Sequence, residues 1–480
     1  MNRQSFSRRH AVLGIGAVAA GAAVSPRSRA ATPVNTVDVL VLGAGISGLY
    51  AARKLQAVGL RVGVLEGSHR IGGRCWTAHE VPGSPEYGAS QIGESYERVM
   101  AECRALKVPL RIEYSDLAPG ARPSGIAVSI GGAPPSPGAW KDSPLNRLPD
   151  AERSLLPLQL LGHFASKRNP LKQSDDWIRP EFAELDALSA GQFLRREGAS
   201  EEAIRLADAF VYADSLEDLS ILDVMRRAFA AQGMKGDVYN VVGGMDSLTA
   251  TMASTLTDPV QTGRIVTGIR ADSRRVEVAC RDGSRWRARA AICTFPTSTL
   301  RQVKVDAPVS ALQREGWERL GYAKAVLVYL EALEPFWERD GLSSWTWSDG
   351  LPEFCTLMRS LPHGGGTILC HVTGNAADQF RGKDPRIVGQ SILNAFVRVR
   401  PAAAGRVSVA GVHDWGTYPF SLGHIAYFRP GTATRHAAEF PRSAGRLFFG
   451  GEYCGRRGVG LEAACEGADQ AVTQLLGTLG

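Results

Sequence analysis

The sequence of 480 residues lacks the motifs that most often mark a metal site or a hydrolase. Its eight cysteines are scattered, no two of them form a CxxC pair, and no cysteines and histidines have the spacing of zinc ligands. It also contains no GxSxG turn and no Walker phosphate loop. We therefore predict no metal ion, and we interpret each cysteine as a small buried side chain. A disulfide would be permitted if the protein is exported from the cytoplasm.

Long hydrophobic runs are also missing, since no stretch approaches the roughly 20 apolar residues that a membrane-spanning helix requires. The short apolar stretch at residues 11–24 follows a basic start that contains Arg8 and Arg9, and a small-x-small cleavage site follows at residues 28–30. The arginine pair resembles a twin-arginine (Tat) signal. We expect residues 1–31 to be a Tat-type signal peptide, which makes the Tat translocase a partner and the mature protein periplasmic or secreted. The alternative is a disordered leader.

Acidic residues are missing from this amino-terminal segment. The sequence has a net charge of +7, and residues 1–31 contain five arginines and no acidic residue. Most of the basic excess therefore belongs to the predicted signal, and we exclude nucleic acid as a partner.

Glycine is abundant, and one glycine cluster stands between a predicted strand and a predicted helix. Residues 37–42 are almost wholly apolar, as in a buried strand, and residues 49–58 have apolar side chains at helical spacing. The Gly-Ala-Gly-Ile-Ser-Gly run between them is typical of a dinucleotide-binding turn. Gly43 would allow the tight bend, Gly45 the approach of a pyrophosphate, and Gly48 the close packing of helix on strand. The helix start would bind the phosphates.

An acidic residue follows the next predicted strand. Residues 62–65 form this strand, and Glu66 lies 18 residues beyond Gly48. A carboxylate here accepts hydrogen bonds from ribose hydroxyls and disfavours a 2′-phosphate. The alternative is a plain glycine turn followed by a solvent-exposed glutamate.

Two further runs distinguish a flavin site from a nicotinamide site. Residues 66–74 match the pattern E-x(3)-R-x-G-G-R, and residues 86–93 read Glu-Tyr-Gly-Ala-Ser-Gln-Ile-Gly. With these runs the sequence resembles the flavin-containing amine oxidase family, which includes monoamine, polyamine and L-amino acid oxidases. The resemblance implies that the first run wraps the adenosine and pyrophosphate of FAD, with Arg74 toward a phosphate. It implies that the second run passes along the isoalloxazine ring.

The resemblance extends into the second half of the chain. Residues 242–245 precede a helical stretch, a strand near residues 264–269 would contact adenine, and residues 446–452 end in the family's Gly-Glu signature. Residues 458–468 resemble the final family motif, whose helix start points at the flavin where negative charge gathers on reduction. The FAD contacts that the resemblance implies are Gly43, Ala44, Gly45, Ser47, Gly48, Glu66, Gly73, Arg74, Ala89, Ser90, Gln91, Val266, Gly451, Glu452 and Leu461.

These motifs lie at opposite ends of the chain, so the chain must leave the site and return to it. We therefore predict an α/β fold with a discontinuous, Rossmann-like FAD-binding domain of the GR2 type, made of residues 35–105, 236–300 and 408–480. An inserted α+β substrate-binding domain would comprise residues 106–235 and 301–407. Within the first insertion we predict a helical stretch from Glu201 to Gln232, with Phe210 on its inward face.

The resemblance also implies the reaction. In this family an amine loses a hydride from its α carbon to the flavin, and the resulting imine hydrolyses to an aldehyde or ketone. The flavin is then reoxidised by O2, which gives H2O2, or by an electron carrier. Lys324 corresponds to a family lysine that holds a water near the flavin; the alternative is a surface lysine. We therefore expect an FAD-dependent oxidoreductase that acts on the CH–NH or CH–NH2 group of a small-molecule amine.

The residues that would flank the amine depart from the family pattern. Trp415 and His424 align with one arm of the aromatic cage of many monoamine oxidases, and Gly460 stands at the other arm. We interpret Lys324, Trp415 and His424 as candidate catalytic residues. His424 could accept a proton from the amine, because imidazole titrates near neutral pH, or it could be a wall residue. Gly423 stands where some relatives attach the flavin through a cysteine, so we predict non-covalent FAD.

Gln91 bears on the choice of substrate. Many L-amino acid oxidases carry an arginine here as a clamp on the substrate carboxylate, and glutamine offers no charge. This favours an amine without an α-carboxylate, with an L-amino acid oxidase as the alternative if another arginine supplies the clamp. A desaturase of the protoporphyrinogen oxidase or carotenoid desaturase type and a flavoprotein without catalysis are two further hypotheses. The sequence leaves a homodimer open.

The twin-arginine interpretation can be tested by replacing the arginine pair. Because the Tat route carries folded, cofactor-loaded proteins, the double variant Arg8→Lys, Arg9→Lys is expected to retain active protein in the cytoplasm. Cell fractionation followed by a flavin assay measures this, and Arg27→Lys is the matched control that should be exported normally. Normal export of the double variant would contradict the interpretation.

Overall fold

The structure is a computed structural model that describes residues 34–114, 125–233 and 236–480. The predicted signal peptide lies outside the described residues, so its assignment and the Tat route stay predictions. Within the described ranges no helix is both long and apolar enough to cross a bilayer.

Strands and helices alternate along the chain and are numbered in chain order. The strands are β1 (Val34–Thr36), β2 (Val39–Leu42), β3 (Val62–Leu65), β4 (Ile92–Gly93), β5 (Leu110–Tyr114), β6 (Ala127–Ser129), β7 (Val238–Val241), β8 (Val266–Ala271), β9 (Val276–Cys280), β10 (Arg285–Ala288), β11 (Ala290–Cys293), β12 (Lys304–Asp306), β13 (Gly321–Ala323), β14 (Ala325–Ala332), β15 (Thr346–Ser348), β16 (Phe354–Ser360), β17 (Gly366–Thr373), β18 (Val407–Asp414), β19 (Ile425–Tyr427) and β20 (Leu447–Phe449). The α-helices are α1 (Ile46–Ala57), α2 (Glu97–Ala105), α3 (Pro157–Lys167), α4 (Ala183–Asp186), α5 (Ala190–Arg196), α6 (Glu201–Asp208), α7 (Ile221–Gly233), α8 (Met245–Ser254), α9 (Thr297–Leu300), α10 (Ala311–Arg319), α11 (Phe336–Asp340), α12 (Gly374–Ala377), α13 (Pro385–Val399), α14 (Ala433–His436) and α15 (Gly460–Leu479).

A four-stranded parallel sheet, in the order β20–β11–β2–β3, joins the two ends of the chain. Strand β2 has the sequence Val-Leu-Val-Leu and is fully buried, as expected for a parallel strand that is covered on both faces. Helices α1 and α15 pack against each other beside this sheet. Because β2 and α1 come from near the start of the chain and β20 and α15 from its end, this core requires both ends to fold together.

The turn between β2 and α1 has the predicted form. Gly43 has a φ of 103°, which favours glycine. A Cβ atom on Gly48 would lie 1.9 Å from the carbonyl oxygen of Gly43, so only glycine allows this approach of helix and turn. Gly45 forms a bridge with Gly72, which brings the second glycine run against the first.

A six-stranded sheet, in the order β18–β14–β17–β16–β15–β6, forms the second large layer. Its longest inner strands include β14, whose side chains alternate: Val326 and Val328 pack with helix α13, whereas Leu327 and Tyr329 pack with Trp415 on the other face. Strands β13 and β19 form a separate antiparallel pair in which Ala323 is opposite Ile425. This pair brings the segment that precedes β14 next to the segment that contains His424.

Two further sheets complete the described architecture. A five-stranded sheet has the order β1–β10–β9–β8–β12 and carries Val266 at the start of β8. A three-stranded sheet has the order β4–β7–β5. The fold is therefore mixed α/β with several sheets, as predicted, and the predicted strand, glycine turn and helix are confirmed. The division into a FAD-binding domain and an inserted substrate domain stays a prediction.

The helical stretch predicted from Glu201 to Gln232 is helical at both ends but contains a loop between two helices. Helix α6 ends at Asp208 and α7 begins at Ile221. The carboxylate of Asp208 accepts a hydrogen bond from the backbone N–H of Leu216 at 2.6 Å, which stabilises a loop between the two helices. Phe210 therefore lies on a loop and is only half-buried.

Candidate active site

A cavity of about 570 Å³ lies at the carboxyl ends of the parallel strands. Gly43 follows β2, Glu66 follows β3, Thr294 follows β11 and Gly451 closely follows β20, and all four residues line the cavity. Parallel α/β sheets bind their ligands at this edge, and the volume is within the range of small-molecule sites.

Most of the predicted cofactor residues line this cavity. They are Gly43, Gly45, Ser47, Glu66, Gly73, Arg74, Ala89, Ser90, Gln91, Val266, Gly451, Glu452 and Leu461. Ala44 and Gly48 do not line it: Ala44 donates its N–H to Glu66, and Gly48 packs against the turn. The structure thus brings together motifs that are far apart in the sequence, while FAD binding by each of these residues stays a prediction.

Glu66, in the cavity wall, stabilises the glycine turn through hydrogen bonds. Its two carboxylate oxygens accept hydrogen bonds from the N–H groups of Ala44 and Ser68, each at 2.8 Å. Burial raises the pKa of Glu66 above its usual value, and these two hydrogen bonds oppose the rise. The carboxylate predicted to hold a ribose therefore also holds the turn that precedes α1.

Two helix starts present free polar groups to the cavity. Neither α1 nor α15 has a side-chain hydrogen bond at its N-cap, so the first N–H groups of each helix have no partner of this kind. The hydroxyl of Ser47, in the first turn of α1, is buried without a hydrogen-bond partner. At the start of α15, Leu461 lines the cavity beside Gly460, whose φ is 56°. Both helix starts favour negative charge.

These features fit a flavin dinucleotide. The start of α1, with the unpartnered Ser47 hydroxyl, suits a pyrophosphate, and the Glu66 carboxylate suits a ribose. The start of α15 suits the ring carbonyl on which negative charge gathers. Gly45 and Gly73 lie against each other at the wall: a Cβ atom on Gly73 would lie 3.2 Å from Cα of Gly45, so glycine permits the two runs to pack closely.

Arg74 connects the two ends of the chain at the cavity. Its Nη1 donates a hydrogen bond to Oε2 of Glu452 at 2.5 Å and another to the carbonyl oxygen of His424 at 3.0 Å. We predicted that Arg74 faces a phosphate, but the structure engages its guanidinium with Glu452, because that carboxylate lies within hydrogen-bond reach. Arg74 therefore holds the protein together here.

Two of the three candidate catalytic residues lie at or behind one end of the cavity. His424 lines the cavity. Trp415 is fully buried behind it, with its ring centroid 6.0 Å from that of His424. The indole N–H of Trp415 donates to the carbonyl oxygen of Tyr87 at 2.7 Å. Trp415 thus supports the wall and is not part of its lining.

Lys324 is not among the residues that line the cavity. Its ammonium group lies 2.6 Å from a carboxylate oxygen of Asp378 and 3.3 Å from one of Asp214. These two carboxylates hold the ammonium in an ion-pair cluster. The backbone on either side of Lys324 binds His424 and Trp415, since the N–H groups of these two residues donate to the carbonyl oxygens of Ala323 and Ala325. The ammonium group itself is engaged by the two carboxylates, and the catalytic role of Lys324 stays a prediction.

His424 is a neutral imidazole in this environment. Burial, with a smaller contribution from Arg74, lowers its pKa to about 4. Its Nδ1 atom is buried without a hydrogen-bond partner. A neutral imidazole has one nitrogen that accepts and one that donates a hydrogen bond, and Nδ1 of His424 does neither within the described residues.

Several aromatic residues of the wall were not predicted from the sequence. They are Tyr96, Phe295, Tyr418, Phe420 and Tyr453. Tyr453 directly follows the Gly-Glu signature, and Tyr418 and Phe420 directly precede the run that contains His424. Their position next to these motifs in the sequence could have indicated that they line the cavity. Tyr96 follows the second flavin run, and burial raises its pKa to about 12, which keeps its phenol neutral.

The family model of flavin-containing amine oxidoreductases matches residues 46–476. The chain belongs to this family. It is therefore an FAD-dependent oxidoreductase that acts on amines, and its substrate is a small-molecule amine that reacts together with an electron acceptor. The resemblance noted in the sequence is confirmed.

Similar proteins span much of this family. The chain is 24% identical over 432 residues to a pseudooxynicotine dehydrogenase of a Pseudomonas species, and the match covers 86% of this chain and 81% of the relative. It is 22% identical over 450 residues to an L-amino-acid oxidase of Naja atra, covering 88% and 84%. A solved structure of a putrescine oxidase variant superimposes with a TM-score of 0.77 at 20% identity, covering 93% of this chain and all of the other. This structural match shows that the fold is that of a flavin amine oxidase.

The aromatic cluster behind the site of this amine oxidoreductase gives a pH-dependent prediction. The ring of His413 packs against Trp76 and Trp415, and burial first, then Arg70 and His424, lower its pKa to about 3. Because the folded pKa is below the value of about 6.5 in an unfolded chain, this histidine contributes stability above pH 6.5 that is lost as the pH falls toward 3.

His413→Phe should therefore gain thermal stability relative to the unmodified chain as the pH is lowered from 7.5 to 5. Other titrating groups are common to both proteins, so their effects cancel in the difference. Apparent melting temperatures at several pH values measure it, with the exposed His69→Phe as the control that should run parallel to the unmodified chain. Parallel curves for His413→Phe would show that this histidine is not held neutral.

Proposed function

We propose that this chain is an exported FAD-dependent amine oxidase or dehydrogenase whose substrate is a primary or secondary amine without an α-carboxylate. The amine would be oxidised at its C–N bond to an imine, which hydrolyses to an aldehyde or ketone. The electrons would pass to O2, giving H2O2, or to an electron carrier. This proposal rests on one observation, namely the partners and positions of the arginines that line the cavity.

None of the arginines that line the cavity in the described structure is placed as a carboxylate clamp near His424. Arg74 is engaged with Glu452, while Arg264 and Arg281 line the cavity with Val266, at the end of the cavity that the sequence assigns to adenine. Gln91, which also lines the cavity, is uncharged. A substrate carboxylate here would have no charge-assisted bidentate partner, which favours an amine over an amino acid.

The side chains of this chain would prepare the amine for reaction. Bound FAD supplies the acceptor for the hydride that leaves the carbon next to nitrogen. His424 would accept a hydrogen bond from the nitrogen through a neutral imidazole. The burial that keeps His424 uncharged would also lower the pKa of a bound amine and so favour the uncharged amine that can be oxidised. Trp415, behind His424, would limit the movement of the imidazole.

Three positions bear on how the cofactor is held, and all support non-covalent FAD. At Gly423 a Cβ atom would lie 2.5 Å from Cβ of Tyr322, so a cysteine at this position would not fit without a shift of the backbone. Cys75 lines the cavity, but burial raises its pKa to about 12, and burial also raises the pKa of Cys454. A thiol that stays protonated is a poor nucleophile toward a flavin.

Export is supported by the sequence alone. Residues 1–31 have the composition of a twin-arginine signal, and FAD is made inside the cell. Loading the cofactor before transport of the folded protein fits that route.

An anaerobic reduction experiment tests the proposed reaction. The purified, FAD-loaded protein is mixed with 2-phenylethylamine, putrescine, L-phenylalanine and a porphyrinogen, and the loss of flavin absorbance is followed. We expect bleaching by at least one of the two amines, and a rate at least about tenfold lower with L-phenylalanine because the carboxylate has no charge-assisted partner.

Each remaining outcome points to a different reaction. Faster bleaching by L-phenylalanine would indicate an L-amino acid oxidase, and bleaching by the porphyrinogen alone would indicate a desaturase. Bleaching by none of the compounds would contradict the proposed substrate class.

A further inference from the structure

A cluster of aromatic rings continues from His424 away from the cofactor cavity. The Tyr212 ring lies 6.1 Å from His424 and 5.3 Å from Phe210, measured between ring centroids. Phe210 lies 5.3 Å from Phe354 and 5.8 Å from His371. We call Phe210, Tyr212, Phe354 and His371 the aromatic wall.

The aromatic wall lies beside a residue that lines the cavity. Tyr212 is 39% exposed, and its ring is next to that of His424, which lines the cofactor cavity. Burial raises the pKa of the Tyr212 hydroxyl to about 12, and burial, with a contribution from His424, lowers the pKa of the half-buried His371 to about 3, so both side chains are uncharged at neutral pH. A molecule whose nitrogen lies beside His424 is therefore within reach of the Tyr212 ring.

The loop that carries Tyr212 and Phe210 is anchored by an ion-pair cluster. Asp214 accepts hydrogen bonds from Arg429 and from the hydroxyl of Tyr427, each at 2.9 Å, and lies 3.3 Å from the Lys324 ammonium. The carbonyl oxygen of Asp214 also accepts the N–H of Asn375 at 3.0 Å. These contacts restrain the loop at Asp214, two residues after Tyr212.

The chemistry of the aromatic wall discriminates between classes of amine. Flat rings bind another flat ring through offset or edge contacts. The carboxyl groups closest in sequence to these rings already have partners in the protein. Asp214 is paired with Arg429 and Lys324, and Asp208 accepts the N–H of Leu216. Glu353, beside Phe354, accepts hydrogen bonds from the N–H and hydroxyl of Thr373, and burial raises its pKa to about 8. Carboxyl groups that are already paired or largely protonated offer little attraction to the second ammonium group of a diamine.

We propose that Tyr212 and Phe210 determine substrate specificity by binding an aromatic ring at the far end of the amine, so that the substrate class is arylalkylamines and not diamines. This inference rests on the proposed oxidation of amines by the same site. The reacting nitrogen would lie beside His424, and the aryl group would lie against the aromatic wall.

A binding measurement with an amine that cannot be oxidised tests the inference apart from the reaction. 2-Phenylpropan-2-amine has no hydrogen on the carbon next to nitrogen, and tert-butylamine is its counterpart without a ring. Calorimetric titration of the FAD-loaded protein should give an affinity at least about tenfold higher for the aryl compound. Tyr212→Ala and Phe210→Ala should each reduce this preference by about tenfold, the loss that follows from removing one aromatic contact.

Two variants serve as controls. Tyr212→Phe keeps the ring and should keep the preference, and Leu333→Ala, at a side chain that is 56% exposed, should change neither affinity. The flavin absorbance spectrum of every variant should match that of the unmodified protein, which shows that the cofactor site is intact.

The outcomes separate this inference from the proposed function. In one outcome the unmodified protein prefers the aryl compound, both alanine variants lose that preference, and 2-phenylethylamine fails to reduce the flavin. This outcome would support the inferred aryl specificity and contradict the proposed amine oxidation. If amines reduce the flavin but the two compounds bind equally, or the preference survives in both alanine variants, the inference about the aromatic wall is overturned.

Discussion

The ion pair between Arg74 and Glu452 is the contact on which the rest of the site depends. It joins the second glycine run, near the start of the chain, to the residue that follows the last strand of the parallel sheet. The same guanidinium binds the carbonyl oxygen of His424, so one side chain fixes three distant segments. Both partners are largely buried, and removing either one would leave a charge without compensation in a site of low dielectric.

Burial also sets the chemical character of the site. His424, His413 and His371 all have pKa values lowered to about 3 or 4, chiefly by burial. The histidines around the reacting end are therefore neutral, and the charged groups nearby are engaged in ion pairs, Arg74 with Glu452 and Lys324 with Asp214 and Asp378. Such surroundings favour an uncharged amine and an apolar group beside it, which connects the proposed reaction with the proposed selectivity.

Local sequence patterns predicted the cofactor end of the molecule well. The strand, the glycine turn and α1 have the predicted form because the local backbone requires glycine at two positions. Gly43 has a positive φ, and a side chain on Gly48 would collide with the carbonyl oxygen of Gly43. The family motifs then identified most of the cavity lining, including Glu66 and Leu461. The additional function of Glu66, holding Ala44, depends on a contact between two strand ends and is not visible in the motif.

The reacting end was predicted less well, for physical reasons. Lys324 precedes an apolar strand, as a lysine near a flavin would, but Asp214 and Asp378 bind it from segments that are distant in the sequence. The helical pattern after Glu201 includes Phe210, yet the Asp208 carboxylate ends the helix and binds the loop. Tyr212 carries no motif, and only its position next to His424 in three dimensions suggests a function.

The central claim is that both ends of one chain form a single, non-covalent FAD site, and quantitative flavin analysis tests it most directly. The mature protein, purified from cells that are replete with riboflavin, should be yellow. Acid precipitation should release about one FAD per chain and leave a colourless pellet, and chain that has been stripped of FAD under mild conditions should take up FAD again. A colourless preparation that binds no FAD on reconstitution would contradict the account.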